Sequence, residues 1–247
     1  MKRWYHAEYW RFVLKIKWKK ILVWIMALII TAAAGFLVYA SDYYRADAVA
    51  AGLLKDPSVT VETDRVVVSP EGDTDTALIF YPGAKVEYTA YLPLLKEITE
   101  ESGITAILVK MPFNLAIFDA DAAEGIMAEY PGIRHWYAGG HSMGGAMASD
   151  FASKHPEKVQ GLILMGAYLY GSYPEDRTLT VYGSLNTSVA EKVDYTENVI
   201  IIAGGNHAQF GNYGPQRGDA AASISAEEQQ SITVDAVAEF LKEKAEP

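Results

Sequence analysis

Beyond Pro57 the chain alternates short apolar runs with stretches of helical spacing, each closed by a turn residue. Residues 59–68 form a β-rich run that ends in the turn cluster Ser69-Pro70-Glu71-Gly72-Asp73. Residues 77–81 read as a buried strand that stops at Pro82-Gly83. Residues 89–102 place Leu92, Leu95 and Ile98 on one helical face, and Gly103 ends that helix. A strand over 104–109, a helix over 120–130 and a strand from His135 follow. A helical run over 146–152, strands over 161–165, 179–182 and 199–203, and a final helix over about 226–244 complete the pattern. Continuous apolar strands alternating with helices predict an α/β fold with a mostly parallel, doubly wound sheet covered on both faces. About a dozen residues separate Met165 from Leu179, which leaves no room there for a large cap.

The N-terminal pattern differs. Residues 21–40 contain no charge and are long enough to cross the roughly 30 Å hydrocarbon core as one helix. Trp18, Trp24 and Tyr39 sit near its ends, where amphipathic rings favour the interface. Residues 1–20 carry seven Lys or Arg against one acid, Glu8, which predicts that this end stays in the cytoplasm. The length favours an uncleaved transmembrane signal anchor over a cleaved signal peptide or a buried core helix. The expected organisation is a basic cytoplasmic segment (1–20), a transmembrane anchor (21–40), a connector (41–57) and an extracytoplasmic domain (58–247) in a single-pass cell-membrane protein.

Charge and composition narrow the function. The chain carries a formal net charge of −10, and beyond residue 20 the balance falls to −16. No basic surface forms easily against that field, so nucleic acid is not an expected partner. Cysteine is absent, which excludes disulfides and thiolate metal sites. Five histidines are scattered without metal-ligand spacing, and no metal or cofactor is expected.

Candidate chemistry centres on Gly139-Gly140-His141-Ser142-Met143-Gly144-Gly145, a G-x-S-x-G pattern between a strand and a helix. A serine there occupies a tight turn that lifts its hydroxyl clear of the sheet and aims a helix N-terminus at its target. The alternative is a glycine-rich loop with Ser142 as an N-cap. A serine nucleophile needs a base that follows it in sequence, on a loop after a late strand. His6 precedes the apolar span, His135 opens the elbow strand at its far end, and His155 ends the next helix. His141 adjoins Ser142 but projects the other way. His207, in the loop after the 199–203 strand, remains.

Two backbone amides must face the developing oxyanion: Met143, following the nucleophile, and one from the loop after strand 77–81, for which Ala84 fits. The orienting group is expected just past strand 179–182, where Gly183-Ser184-Leu185-Asn186-Thr187-Ser188 offers no carboxylate. Asn186 occupies that place; Glu175, Asp176, Asp194 and Asp219 are the carboxylate alternatives. Lys85, Lys110, Asn114, Gln209 and Tyr213 are candidates to line the site.

With these motifs the chain resembles the α/β-hydrolase superfamily. Within it, the chain is similar to compact membrane-anchored bacterial members of the α/β-hydrolase fold-5 group, related to dienelactone hydrolases. The resemblance rests on Phe80-Tyr81-Pro82-Gly83-Ala84-Lys85-Val86, the segment from Val109 to Ala116, the elbow, Val181-Tyr182-Gly183-Ser184, and the segment from Gly204 to Gly214. It implies an α/β-hydrolase fold without a large cap, Ser142 as nucleophile and His207 as base. In that group the Tyr-Gly-Ser segment continues into Asn-Asp-Gly, so the acid falls at or beside Asn186, where this chain has none.

The expected activity is that of a serine hydrolase acting on a carboxylic ester or related acyl bond of a small or surface-attached substrate. A catalytically weak binding or scaffold protein and an acyltransferase are the alternatives.

Overall fold

The structure, a computed structural model, describes the backbone of residues 2–245 and the side chains of residues 18–244. It divides into two units, Met1–Asp42 and Tyr43–Pro247. The first is a single helix, α1 (Lys2–Ser41). Its Trp18–Ser41 stretch is long and apolar enough to cross a membrane. The expected cationic and aromatic side chains at positions 2–17 lie outside the described residues.

The second unit begins within the expected connector. Tyr44 bridges Val86, and Asp47 caps α2 (Ala48–Leu53) by accepting the Ala50 N–H at 2.9 Å. The run over 59–68 splits into two strands, β1 (Val59–Val61) and β2 (Arg65–Val68), joined as an antiparallel hairpin. Strand β3 (Thr76–Tyr81) leads through a 3₁₀ turn into α3 (Leu92–Ser102), which Gly103 closes in the left-handed conformation with φ 64°. Then come β4 (Thr105–Val109), α4 (Ala122–Glu129), β5 (His135–His141) and α5 (Met143–Lys154). Strand β6 (Gly161–Met165), β7 (Thr178–Gly183), α6 (Thr187–Ala190), β8 (Val199–Ile202) and α7 (Ala226–Ala245) follow.

The eight strands form one sheet in the order β1-β2-β4-β3-β5-β6-β7-β8, parallel from β4 to β8 and antiparallel at the β1–β2–β4 edge. Side chains alternate across each strand, so every apolar run feeds two cores. Leu78, Phe80, Leu108 and Ile163 face a core completed by Leu95 and Ile98 of α3 and Val237 and Phe240 of α7. Ile79, Tyr81, Ile107 and Leu164 face the opposite core, with Ile126 of α4 and Ala148 and Phe151 of α5. Both faces being covered explains why these strands are uniformly apolar.

Strand β5 lies between β3 and β6, with Tyr81 opposite Gly140 and His141 opposite Met165. This register sets the loop after β3 beside the turn that follows β5. The start of α5 packs directly on that loop: a Cβ on Gly144 would collide with the Tyr81 and Pro82 carbonyl oxygens. We expect Gly144→Ala to destabilise the folded domain by about 1–3 kcal/mol, the usual cost of overpacking a tight contact. Urea denaturation of the full chain in detergent measures it; an unchanged midpoint would contradict the close approach.

Candidate active site

The turn between β5 and α5 places Ser142 at φ 54° and ψ −121°, a conformation that L-residues rarely adopt. Such strain costs of order 1–3 kcal/mol and persists only where its surroundings enforce it. Here the Ser142 N–H donates to the Met165 carbonyl at 3.0 Å, and the Ser142 carbonyl accepts from Ala146 N–H at 3.1 Å. Glycines make the turn possible: a Cβ on Gly140 would come within 2.7 Å of the Tyr81 carbonyl oxygen, and one on Gly145 within 2.6 Å of Ala167 Cβ.

His207 follows β8 by a short loop and brings its Nε2 to 3.0 Å from Ser142 Oγ. Gln229 of α7 clamps that loop, accepting the Asn206 N–H at 2.9 Å and donating to the Asn206 carbonyl at 3.0 Å. On the other side of the imidazole, Asn186 lies past the end of β7 at the start of α6. Its Nδ2 is 2.7 Å from His207 Nδ1, and Ser188 Oγ donates to its Oδ1 at 3.0 Å. Ser142, His207 and Asn186 therefore form a continuous relay across the carboxyl edge of the sheet.

The carboxylates distribute differently from what a carboxylate orienter requires. Asp219 accepts from the backbone N–H of His207 at 3.2 Å and of Ala208 at 2.8 Å, so it holds the loop rather than the ring. Glu175 and Asp176 lie in a 3₁₀ turn ahead of β7, at the amino end of the strands. Asp194 neighbours Tyr195, whose hydroxyl bonds Thr180 in the body of β7. Burial pushes the His207 imidazole below its ordinary value, and the Asp219 charge opposes that only in part.

The other expected residues sort by place. Met143 is the first residue of α5, and Ala84 lies in the loop after β3. Among the described residues neither of their backbone N–H groups donates to a protein acceptor. Lys85 adopts φ 57°, its N–H donating to the Asn114 carbonyl and its carbonyl accepting from Tyr44 N–H, both at 2.8 Å. Asn114, also at positive φ, thus supports the loop after β3 through its backbone. Lys110 is exposed at the end of β4. Gln209 donates to the Ile224 carbonyl at 3.2 Å, and Tyr213 is buried with its hydroxyl donating to Gln216 at 3.1 Å. Of the remaining histidines, His135 pairs with Gln160 and His155 ends α5, both away from Ser142, while the His6 side chain lies outside the described residues. Among the described residues no three histidines or carboxylates group as a metal site. A cavity of about 400 Å³ flanks His207 on the Asn186 side, lined by Leu185, Thr187, Ser188 and Arg217.

The sequence pattern gave Ser188 no role and set His141 aside, and it offered Asp219 only as a candidate orienter. Ser188 bonds the Asn186 amide, and Asp219 holds the His207 backbone. His141 is fully buried between Tyr91 and the His207 loop, with Nδ1 2.8 Å from the Tyr91 hydroxyl and Nε2 2.9 Å from the His207 carbonyl oxygen. Only its alternation on β5, facing opposite to Ser142, hinted at burial. Burial holds the His141 imidazole well below its ordinary value.

A model of an alpha/beta hydrolase family matches residues 77–231. The chain is similar in structure to a dienelactone hydrolase from Anabaena variabilis, at 16% identity and a TM-score of 0.51, over 72% of this chain and 90% of that one. It is also similar to an esterase/lipase from an uncultured bacterium (15% identity, TM-score 0.52, 76% and 85% covered). A Pyrobaculum calidifontis esterase is a third such structure (13% identity, TM-score 0.52, 79% and 88% covered). No curated protein matches the chain by sequence.

Burial lowers the proton affinity of both histidines in the fold, most of all that of His141, whereas the unfolded chain protonates them from about pH 6.5 downward. The unfolded state then binds more protons, so stability falls as pH drops below that value, by up to about 1.4 kcal/mol per pH unit for each histidine. Urea midpoints of the full chain in detergent at about pH 7.5 and 5.5 check this, with a smaller decrease expected in His141→Gln.

Proposed function

This chain belongs to the alpha/beta hydrolase family, and on that premise we propose that it is a serine hydrolase cleaving a carboxylic ester through an acyl-enzyme intermediate. The observation that carries the reading is the relay from Asn186 through His207 to Ser142, at 2.7 and 3.0 Å, on a turn held at φ 54°. Structural likeness to esterases and a dienelactone hydrolase supports the ester as the bond attacked.

In this mechanism Ser142 Oγ attacks the ester carbonyl carbon while His207 Nε2 takes its proton. The carbonyl oxygen becomes an oxyanion, held by the Ala84 and Met143 amides and favoured by the N-terminus of α5. Collapse breaks the bond to the alcohol, which leaves with the proton from Nε2. His207 then takes a proton from water, the hydroxide attacks the acyl carbon, and Ser142 Oγ departs with that proton.

Nε2 can act as a base only if the imidazole hydrogen sits on Nδ1, facing the oxygen end of Asn186. A half-turn of the Asn186 amide provides this, and Ser188 supports it because a hydroxyl accepts from Nδ2 as readily as it donates to Oδ1. The amide neither locks one tautomer nor stabilises an imidazolium as a carboxylate does, so turnover is modest. That same amide favours the second reading, a binding or scaffold protein with little turnover. The expected substrate is a small or surface-attached acyl compound, reached from outside a membrane spanned by residues 21–40.

A fluorophosphonate probe and short-chain nitrophenyl esters, applied to the full chain in detergent, test the proposal. Labelling and turnover should both vanish in Ser142→Ala; their absence in the unaltered chain would favour the scaffold. Asn186→Asp should raise kcat about 10-fold or more, since the reverse change in a serine protease, a worked example of this effect, costs about 10⁴-fold. Because the new carboxylate favours the imidazolium, the acid limb of the pH–rate profile should move to higher pH. Protease treatment of intact cells should remove the domain if it lies outside.

A further inference from the structure

Beneath the relay lies a second polar chain, which runs through Tyr91 and His141. Gly83 N–H is 3.1 Å from the Tyr91 hydroxyl oxygen, which is 2.8 Å from His141 Nδ1. His141 Nε2 is 2.9 Å from the His207 carbonyl oxygen. Tyr91 and His141 are both fully buried.

The two ends fix its direction. A backbone N–H only donates and a carbonyl only accepts. The Tyr91 oxygen must therefore accept from Gly83 and donate its own hydrogen to Nδ1. His141 must then carry its single hydrogen on Nε2 and give it to the His207 carbonyl. An added proton on Nδ1 would face the Tyr91 hydrogen. With His141 neutral, this arrangement satisfies every group without water, and the Tyr213 hydroxyl, which also pairs with Tyr91, gives its own hydrogen to Gln216.

We propose that this one-way chain sets the spacing between the oxyanion loop at 83–84 and the loop bearing His207, making Tyr91 and His141 positioning residues. The inference rests on the serine hydrolase reading above. Three further contacts support it. A Cβ on Gly83 would come within 2.7 Å of His141 Nδ1 and 2.8 Å of the Tyr91 hydroxyl, so the loop sits directly on the chain. The His141 ring packs against the His207 ring at 4.6 Å between centroids and against Phe210 at 5.6 Å. His207 itself is held at both backbone groups, its carbonyl by His141 and its N–H by Asp219. Its remaining freedom is in the side chain, which Asn186 and Ser142 take up. An ester carbonyl entering the site thus meets a donor loop and a base whose separation is set by two rigid rings.

Oxyanion donors act on the transition state more than on bound substrate, so loosening this spacing should lower kcat and leave KM nearly unchanged. Tyr91→Phe removes the acceptor for Gly83 and the donor to Nδ1. His141→Gln keeps an N–H within reach of the His207 carbonyl but presents no acceptor where Nδ1 stood. In the full chain in detergent, with active sites counted by fluorophosphonate, Tyr91→Phe should lower kcat about 10- to 100-fold with KM within about two-fold. His141→Gln should lose less. Variants that melt earlier but turn over at the unaltered rate per counted site would overturn the proposal, since that is what core packing alone predicts.

A measurement on the unaltered chain does not depend on either variant folding. Imidazole ¹⁵N resonances of His141 should show a hydrogen on Nε2 and a bare Nδ1 between about pH 5 and 8. An Nδ1–H tautomer, or titration within that range, would overturn the chain. If the unaltered protein shows no Ser142-dependent turnover, the hydrolase reading fails, and the tautomer still decides whether the chain exists.

Discussion

The site depends on how closely two backbones meet, where the turn after β5 rests on the carboxyl end of β3. Gly140, Gly144 and Gly145 each occupy a position where a Cβ would strike a main-chain atom or a neighbouring side chain. This contact lets α5 start immediately after Ser142, which leaves the serine in a strained backbone conformation and the first helical amides unpaired. The strain, of order 1–3 kcal/mol, is offset by what the helix buries. Ala148, Phe151 and Ala152 of α5 pack without exposed surface against β3, β5 and β6. A rigid core on that face and a tight turn at its edge are one construction, since moving α5 outward would relax Ser142 and open the core together.

Around that turn the groups that face the imidazoles are neutral. Asn186, Ser188, Tyr91 and His141 supply hydrogen bonds, and the nearby Asp219 is engaged by two backbone amides. Neutral groups cost less to bury than a carboxylate, provided each finds a partner. The result is a pair of histidines in ring contact, each pushed below its ordinary value by burial, one facing Ser142 and one facing the core. The chemical consequence is specific: without a charge on Nδ1, which nitrogen of His207 carries its hydrogen depends on which end of an amide faces it.

Some of this was legible from residue order. Ser142 could be placed because glycines surround it between an apolar run and a helical run. His207 could be singled out because it follows a late strand in a short loop, whereas His141 adjoins the serine but projects the other way from the turn. Asn186 stood where an orienter belongs, and the structure puts it 2.7 Å from the imidazole. Elements also read well where the burial pattern is regular, complete in β6 and confined to one face of α7. The β-rich run before residue 69 was harder, because the turn at Glu62-Thr63-Asp64 lacks the glycine or proline that usually marks a hairpin. The segment from Tyr43 looked like a connector because its pairing partners, residues 85–87, are distant in sequence.

The sequence by itself therefore determined the alternation of strands and helices, the serine at the tight turn, the histidine that meets it, and the lack of a carboxylate where an orienter is expected. These are local matters of hydrophobic period, turn chemistry and residue identity. Only the tertiary structure decided that Asp219 serves the backbone of His207, that Ser188 bonds the Asn186 amide, and that His141 links Tyr91 to the His207 loop. The His141 contacts join groups 50 and 66 residues apart in the chain, and hydrogen-bond direction depends on distances that no spacing along one strand can encode.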